Sequence, residues 1–246
     1  MIVLFTDFGL NGPYTGQMKA VLAREAPGLP VIDLFSDAPV FDPQLSAYLL
    51  AAYAVEFPAG SVFVCVVDPG VGTERRPLVV EADGRWFVGP DNGLFELLRR
   101  RAGVVRAQAV RVWTIDWRPA RLSASFHGRD LFAPVAAKVA RGEGIPGTPV
   151  DSAAIARPDW PDDLARIVYV DVYGNAMTGI RASSLADGAV LRVGGTTVRR
   201  GRTFADVPAG QALWYENSSG LAEIAVNRGR ADRDLGLSVG TPVDVL

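Results

Sequence analysis

The sequence predicts an α/β protein in two parts: a larger N-terminal, mostly parallel α/β sandwich and a smaller C-terminal antiparallel β-barrel. Three observations carry this expectation. Over the first 150 residues, β-branched and aromatic runs alternate with helix-periodic stretches, as when crossover helices feed parallel strands. Composition then shifts after Gly142-Glu-Gly-Ile-Pro-Gly-Thr-Pro149, and Pro158 to Asp163 (PDWPDD) has the composition of a linker or hinge. Beyond it, short apolar runs are punctuated by glycines such as Gly174, Gly188, Gly210 and Gly220, with no helical stretch of ten residues. The domains are drawn at 1–157 and 158–246.

Strands are predicted at 2–5, 31–35, 62–67, 86–88 and 109–115, each a short run of Val, Ile, Phe or Trp bounded by turn residues. Helices are predicted at 14–26, 43–57, 94–101 and 131–141 from apolar spacing. The second has explicit punctuation: Asp42 as N-cap, Pro43 in the first turn and Pro58 as the stop.

Composition narrows the function classes. Forty-nine per cent hydrophobic and 21 per cent charged residues in 246 suffice for a sizeable core. A net charge of −2 without a basic patch argues against nucleic acid or an anionic membrane as partner. The positive run Arg99-Arg100-Arg101 reads as a solvated helix end. One cysteine, Cys65 inside VFVCVV, reads as a small buried hydrophobe, and one Cys with one His cannot assemble a zinc set. The opening MIVLFTDFG lacks a basic region and reaches Asp7 quickly, so neither signal peptide nor membrane span is expected and the cytoplasm is the expected location.

Several predicted strands run into an aspartate: Asp7 in LFTDFG, Asp37 in DLFSD, Asp68 in VVDPGVG and Asp91 in VGPDNG. In an open parallel sheet the C-terminal strand ends converge on one crevice, so Asp7 and Asp68 can share a site, although capping the next turn explains each equally well. Asp91, before Asn92-Gly93, reads as a cap. Phosphate-loop, nucleophile-elbow and HExxH zinc motifs are absent from the sequence. Asp68 and Arg75, seven residues apart across a Gly-rich turn, can close into a charge-assisted pair, with Arg76 left to solvent. The only histidine, His127 in SFHGRD, is by default a partly buried ring with one partner. If it reached the Asp68–Arg75 pair, the three would suit positioning and deprotonating a water, and would suit a metal poorly because the arginine repels the ion.

Six segments together resemble the S-adenosyl-L-methionine (SAM) hydroxide adenosyltransferases, the adenosine-forming SAM hydrolases related to the SAM-dependent fluorinase and chlorinase. They are TDFG at 6–9, VVDPGVGTERRPL at 66–78, GPDNGLF at 89–95, SFHGRDLFAP at 125–134, VDVYGN at 170–175 and NSSGLAEIAVNRG at 217–229. The resemblance runs nearly end to end. It implies an α/β domain followed by a β-barrel domain, a homotrimer, and SAM bound between subunits. It implies an Asp-Arg-His set at Asp68, Arg75 and His127, with Asp7 on the ribose hydroxyls. Asp171, Asn175, Asn217 and Ser218 are implied as contacts to methionine and nucleoside, and Glu223 with the backbone around Val226 and Arg228 as the adenine side. SAM is then substrate, adenosine and L-methionine are products, and no cofactor or metal is implied. Ser219 stands where the fluorinase type has arginine.

The expected chemistry is in-line attack on C5′ of SAM. Methionine leaves as a neutral thioether, so the protein has to supply only an oriented nucleophile. Imidazole, with an ordinary pKa near 6.5, is matched to deprotonating water, while Asp68 shares the proton network and Arg75 stabilises hydroxide character. The rival readings are a halide adenosyltransferase, a non-catalytic SAM or adenosine sensor, and a Mg²⁺-dependent phosphohydrolase using Asp7 and Asp68.

Overall fold

A computed structural model describes residues 1–102 and 110–246, in two compact units, Met1–Pro158 and Asp159–Leu246. Among the described residues no helix is long and apolar enough to cross a membrane.

The first unit is a seven-stranded sheet with helices on both faces. In chain order it contains β1 (Ile2–Thr6), α1 (Tyr14–Glu25), β2 (Val31–Phe35), α2 (Pro43–Tyr53), β3 (Val62–Val66), β4 (Pro77–Ala82), β5 (Arg85–Pro90), α3 (Glu96–Arg101), β6 (Arg111–Ile115), α4 (Ala133–Ala140) and β7 (Gly147–Val150). The strand order is β2-β1-β3-β5-β4-β6-β7. The expected parallel pairing holds from β2 through β1 and β3 to β5, and the remaining three pairs are antiparallel. Alternation along the strands decides the faces. Ile2, Leu4, Val62, Val64 and Val66 pack with Met18 and Leu22 of α1 and Val135 and Ala136 of α4. Phe63 on the opposite face stacks on Phe87 with centroids 4.8 Å apart.

Asp42 caps α2 as its position predicts, its carboxylate accepting from the Leu45 N–H at 2.9 Å with Pro43 in the first turn. Two strands escape the sequence reading. β4 and β5 form a hairpin around Asp83-Gly84, both at positive φ (49° and 74°), as a two-residue primed turn demands. β7 lies at the Gly- and Pro-rich stretch after which the composition shifts, where no strand is predicted; its Pro149 is tolerated because β7 is an edge strand. Ala109, expected in β6, lies outside the described residues.

Three side-chain expectations are corrected. The Arg99–Arg101 run is not a solvated end: Arg99 and Arg100 fold back onto the fully buried Glu96 and hold its carboxyl below the ordinary range against the effect of burial. Asp91 does not cap a helix; it pairs with Arg76 (2.8 Å) and Arg157 (3.3 Å), so Arg76 is partnered rather than free. Asn92 serves the turn instead, accepting from the Leu94 N–H at 3.3 Å. Cys65 is fully buried as expected, and burial pushes its thiol well above the ordinary range.

The second unit contains β8 (Leu164–Val170), β9 (Ala176–Arg181), β10 (Val190–Val193), β11 (Thr196–Arg200), β12 (Ala212–Glu216), β13 (Leu221–Val226), α5 (Ala231–Asp234) and β14 (Val243–Val245). Its order is β14-β10-β11-β12-β13-β9-β8, antiparallel except for the β11–β12 pair. A bridge between Arg166 and Pro242 joins the first strand to the segment leading into the last, with Ile167 N–H donating to Thr241 O at 2.8 Å. The sheet thus closes on itself, hiding its edges. Trp214 fills the interior with no exposed surface, and its indole N–H donates to Ala189 O at 3.0 Å, satisfying the one polar atom it buries.

Candidate active site

The chain runs from β1 to β2 on one side and then crosses to β3 on the other, which makes the β1/β3 boundary a topological switch point. Thr6 and Val66 are partners in register there, so Asp7 and Asp68 leave neighbouring strands at the same end. Both line a cavity of about 580 Å³, together with Phe8, Tyr14, Phe41, Phe126 and His127, all from the first unit. That volume lies within the range of small-molecule sites.

The loop after Asp68 doubles back. Val71 N–H donates to Asp68 O (3.2 Å), Thr73 Oγ1 to Gly70 O (2.7 Å), and Gly72 sits at φ 80°. A Cβ on Gly72 would lie 2.6 Å from Ala124 O, so only glycine lets this loop press against the segment carrying His127. The turn delivers Arg75 back onto Asp68. Its Nε donates to both carboxylate oxygens at 3.0 Å and its Nη2 donates to Oδ2. The guanidinium also lies 5.2 Å from the Phe132 ring centroid, and the two ionic side chains are 9% and 4% exposed. A pair this buried holds only because its hydrogen bonds are made.

The same Nη2 stands 2.8 Å from Nδ1 of His127. His127 precedes a single π-helical turn, Gly128–Phe132, that leads into α4. The segment is braced by Asp130, which accepts from the Ser123 N–H at 2.9 Å, and by Arg129, which donates to Gln17 at 2.8 Å and lies over Phe126. Burial first, and then the Arg75 charge, hold the imidazole below its ordinary pKa. Arg75 thus touches both Asp68 and His127, and those two side chains line the cavity.

Asp7 stands opposite in charge logic, with no cation beside it among the described residues. Its Oδ2 accepts from the Phe41 N–H at 3.0 Å, and burial raises its carboxyl above the ordinary range, with a smaller push from Asp68. Phe41 was not foreseen. It holds a left-handed φ of 59°, costly for a bulky side chain, and its ring is 73% exposed at the cavity rim. Nothing in the periodicity of its neighbours signals this, because a backbone angle leaves no mark on composition.

In the second unit the remaining candidates form two groups. Asp171 Oδ1 accepts from the Tyr173 and Asn175 N–H groups (2.9 and 2.8 Å), tying the DVYGN turn, which meets the Val226–Arg228 end of β13. Asn217 Oδ1 accepts from Ser219 and Leu221 N–H at 3.0 Å and so closes the NSSG turn at the other end of β13, with Ser218 exposed. The strand separates the two groups by roughly 15–20 Å. Glu223 lies between them, 3% exposed, with one oxygen taken by Tyr215 Oη–H and the other by Asn217 Nδ2 at 2.9 Å; burial raises its carboxyl. Val226 has its side chain in the barrel core, and Arg228 turns the chain at φ 56°.

The comparisons with known proteins cover both units. A family model described as the SAM hydroxide adenosyltransferase N-terminal domain matches residues 2–148, and the corresponding C-terminal domain model matches 165–244. An (R)-S-adenosyl-L-methionine hydrolase of Thermus thermophilus is 42% identical over 100% of this chain and 99% of its own. A protein of the same name from Salinispora arenicola is 40% identical over 98% of this chain and 95% of its own. Among solved structures, an uncharacterized conserved protein from Thermotoga maritima superposes with a TM-score of 0.87 at 31% identity, covering 100% of both chains.

Proposed function

Because the chain belongs to the SAM hydroxide adenosyltransferase family, we propose that the cavity at the β1/β3 switch point is where it hydrolyses S-adenosyl-L-methionine to adenosine and L-methionine. The observation that carries the assignment is that Asp68 and His127, which both line the cavity, are joined through Arg75. The sulfonium is already an activated leaving group, so catalysis consists of holding one water in line with the C5′–S bond. Attack spreads the sulfonium charge onto the incoming water, and passing the water's proton to a carboxylate cancels opposite charges, which an apolar lining of Phe8, Val66 and Phe126 favours over bulk water. A halide would meet the Asp68 carboxylate at this wall, which favours water as the nucleophile.

Asp7 is assigned to the ribose hydroxyls. Its carboxylate lines the cavity without a cationic partner among the described residues, as a group meant for a neutral diol should. Asp7→Ala is expected to weaken nucleoside binding by about 1.5–3 kcal/mol, the worth of hydrogen bonds to a charged group. Titration with adenosine by calorimetry reads this, and unchanged affinity would remove the ribose assignment.

Asp171, Asn175, Asn217 and Ser218 are assigned to the methionine and nucleoside portions, with the main chain at Val226 and Arg228 on the adenine side and Glu223 fixing Asn217. A homotrimer with sites between subunits is part of this reading. The exposed apolar rim at Val40 and Phe41, 60% and 73% exposed, supports a covering neighbour. Mixing Asp68→Asn protein with Asn217→Ala protein under subunit exchange should restore part of the activity; no recovery despite exchange would place each site within one subunit. The lone unpaired cysteine supports action in the reducing cytoplasm. The direct test of the reaction is incubation with SAM in halide-free, chelator-treated ¹⁸O water. Adenosine carrying ¹⁸O at its 5′ oxygen and free methionine are expected, and intact SAM would refute hydrolysis.

A further inference from the structure

Resting on that reading of the cavity, we propose that His127 is a fixed, neutral hydrogen-bond donor to the attacking water, and that Asp68 receives the water's proton. The reasoning starts from the Arg75 guanidinium, which carries five N–H donors and no acceptor. Its Nη2 lies 2.8 Å from His127 Nδ1, so Nδ1 must present a lone pair. A neutral imidazole with a bare Nδ1 carries its hydrogen on Nε2. Neither nitrogen is then open to a proton from water: Nε2 already holds one, and Nδ1 is covered by an arginine N–H.

The surroundings keep the ring in this state. Burial and the charges of Arg75 and Arg118 oppose the imidazolium, outweighing Asp68 and Asp130, which favour it. The imidazole that the sequence offers as a base is therefore built as a donor.

Asp68 is fitted to the other half. Arg75 Nε reaches both of its oxygens, but Nη2 engages Oδ2 alone, which leaves Oδ1 the less occupied. The residue lines the cavity. One water can accept from His127 Nε2–H with one lone pair, direct the other at C5′, and donate a hydrogen to Asp68. The C5′–O bond forms as the C5′–S bond breaks, the bonding pair stays on sulfur, and methionine leaves neutral. The nascent oxonium is a far stronger acid than any carboxylic acid, so a carboxylate already paired with arginine is basic enough.

The chain's single histidine makes the test clean. With ¹⁵N-labelled histidine, one imidazole reports, and Nδ1 should remain unprotonated with Nε2–H present at neutral pH. His127→Gln can place an amide N–H near the Nε2 position but cannot act as a base; it should keep turnover within an order of magnitude of wild type. His127→Ala should lose about 10²–10³-fold, the usual effect of deleting one positioned donor. Turnover of the wild type should show no inflection from an imidazole base near neutral pH. A ring protonated on Nδ1 overturns the donor assignment, and so does a His127→Gln variant as impaired as His127→Ala. If the wild type leaves SAM intact, the hydrolytic reading fails, while the ¹⁵N spectrum of the same protein still decides the protonation state.

Discussion

Arg75→Met lowers the stability of the first unit by about 3–5 kcal/mol, the cost of leaving a buried charge without its partner. The Asp68 side chain is 4% exposed and, among the described residues, takes its charged hydrogen bonds from this one side chain, so no other cation can move in without rebuilding the loop. Urea unfolding followed by far-UV circular dichroism reads the loss as an earlier first transition. Pairing the change with Asp68→Leu should recover most of it, because a buried ion pair replaced by apolar side chains is close to neutral. A single variant as stable as wild type would mean that the pair is not held as described.

Asp68→Asn is the second large effect, and it falls on rate. The amide keeps the volume of the carboxylate but accepts no proton, so kcat should fall by about 10²–10⁴-fold. SAM affinity should change little, because the residue addresses the water rather than the substrate. Adenosine release at saturating SAM gives the first quantity, and equilibrium binding to the slow variant gives the second. A variant that loses affinity but keeps kcat would move Asp68 from the nucleophile to the substrate.

What the sequence made legible was local. The N-cap of α2 is written in Asp42-Pro43 and the apolar spacing that follows, and needs no tertiary partner to be recognised. The Asp68–Arg75 closure was likewise legible, because a seven-residue Gly-rich turn leaves few other places for the guanidinium. The arrival of His127 is legible only through the family resemblance and not from its local sequence, since it depends on Gly72 yielding room to Ala124 O some fifty residues along the chain. Asp91 and the Arg99–Arg100 pair failed for a related reason: capping and solvation are local defaults, and in both cases a buried partner overrode them. The Asp83-Gly84 hairpin is different. Its signal, Asp-Gly between alternating residues, is present in EADGRW, but a strand–helix alternation fits only the parallel half of the sheet and predicts no hairpin there.

The closure of the second unit has a bearing on the order in which it can form. β14 follows every other strand of that unit in the chain, yet it pairs with β10, and the segment leading into it bridges back to β8. During synthesis the earlier strands can make their hairpins as they emerge, but the ring stays open until that final segment has left the ribosome. Contacts between the first and last strands of a unit are the slowest to be won, because the loop-closure entropy comes before the reward. The open intermediate would present two unpaired strand edges for as long as that takes. The first unit, whose β1–β2 and β4–β5 pairs are made between consecutive strands, has no such wait for those contacts.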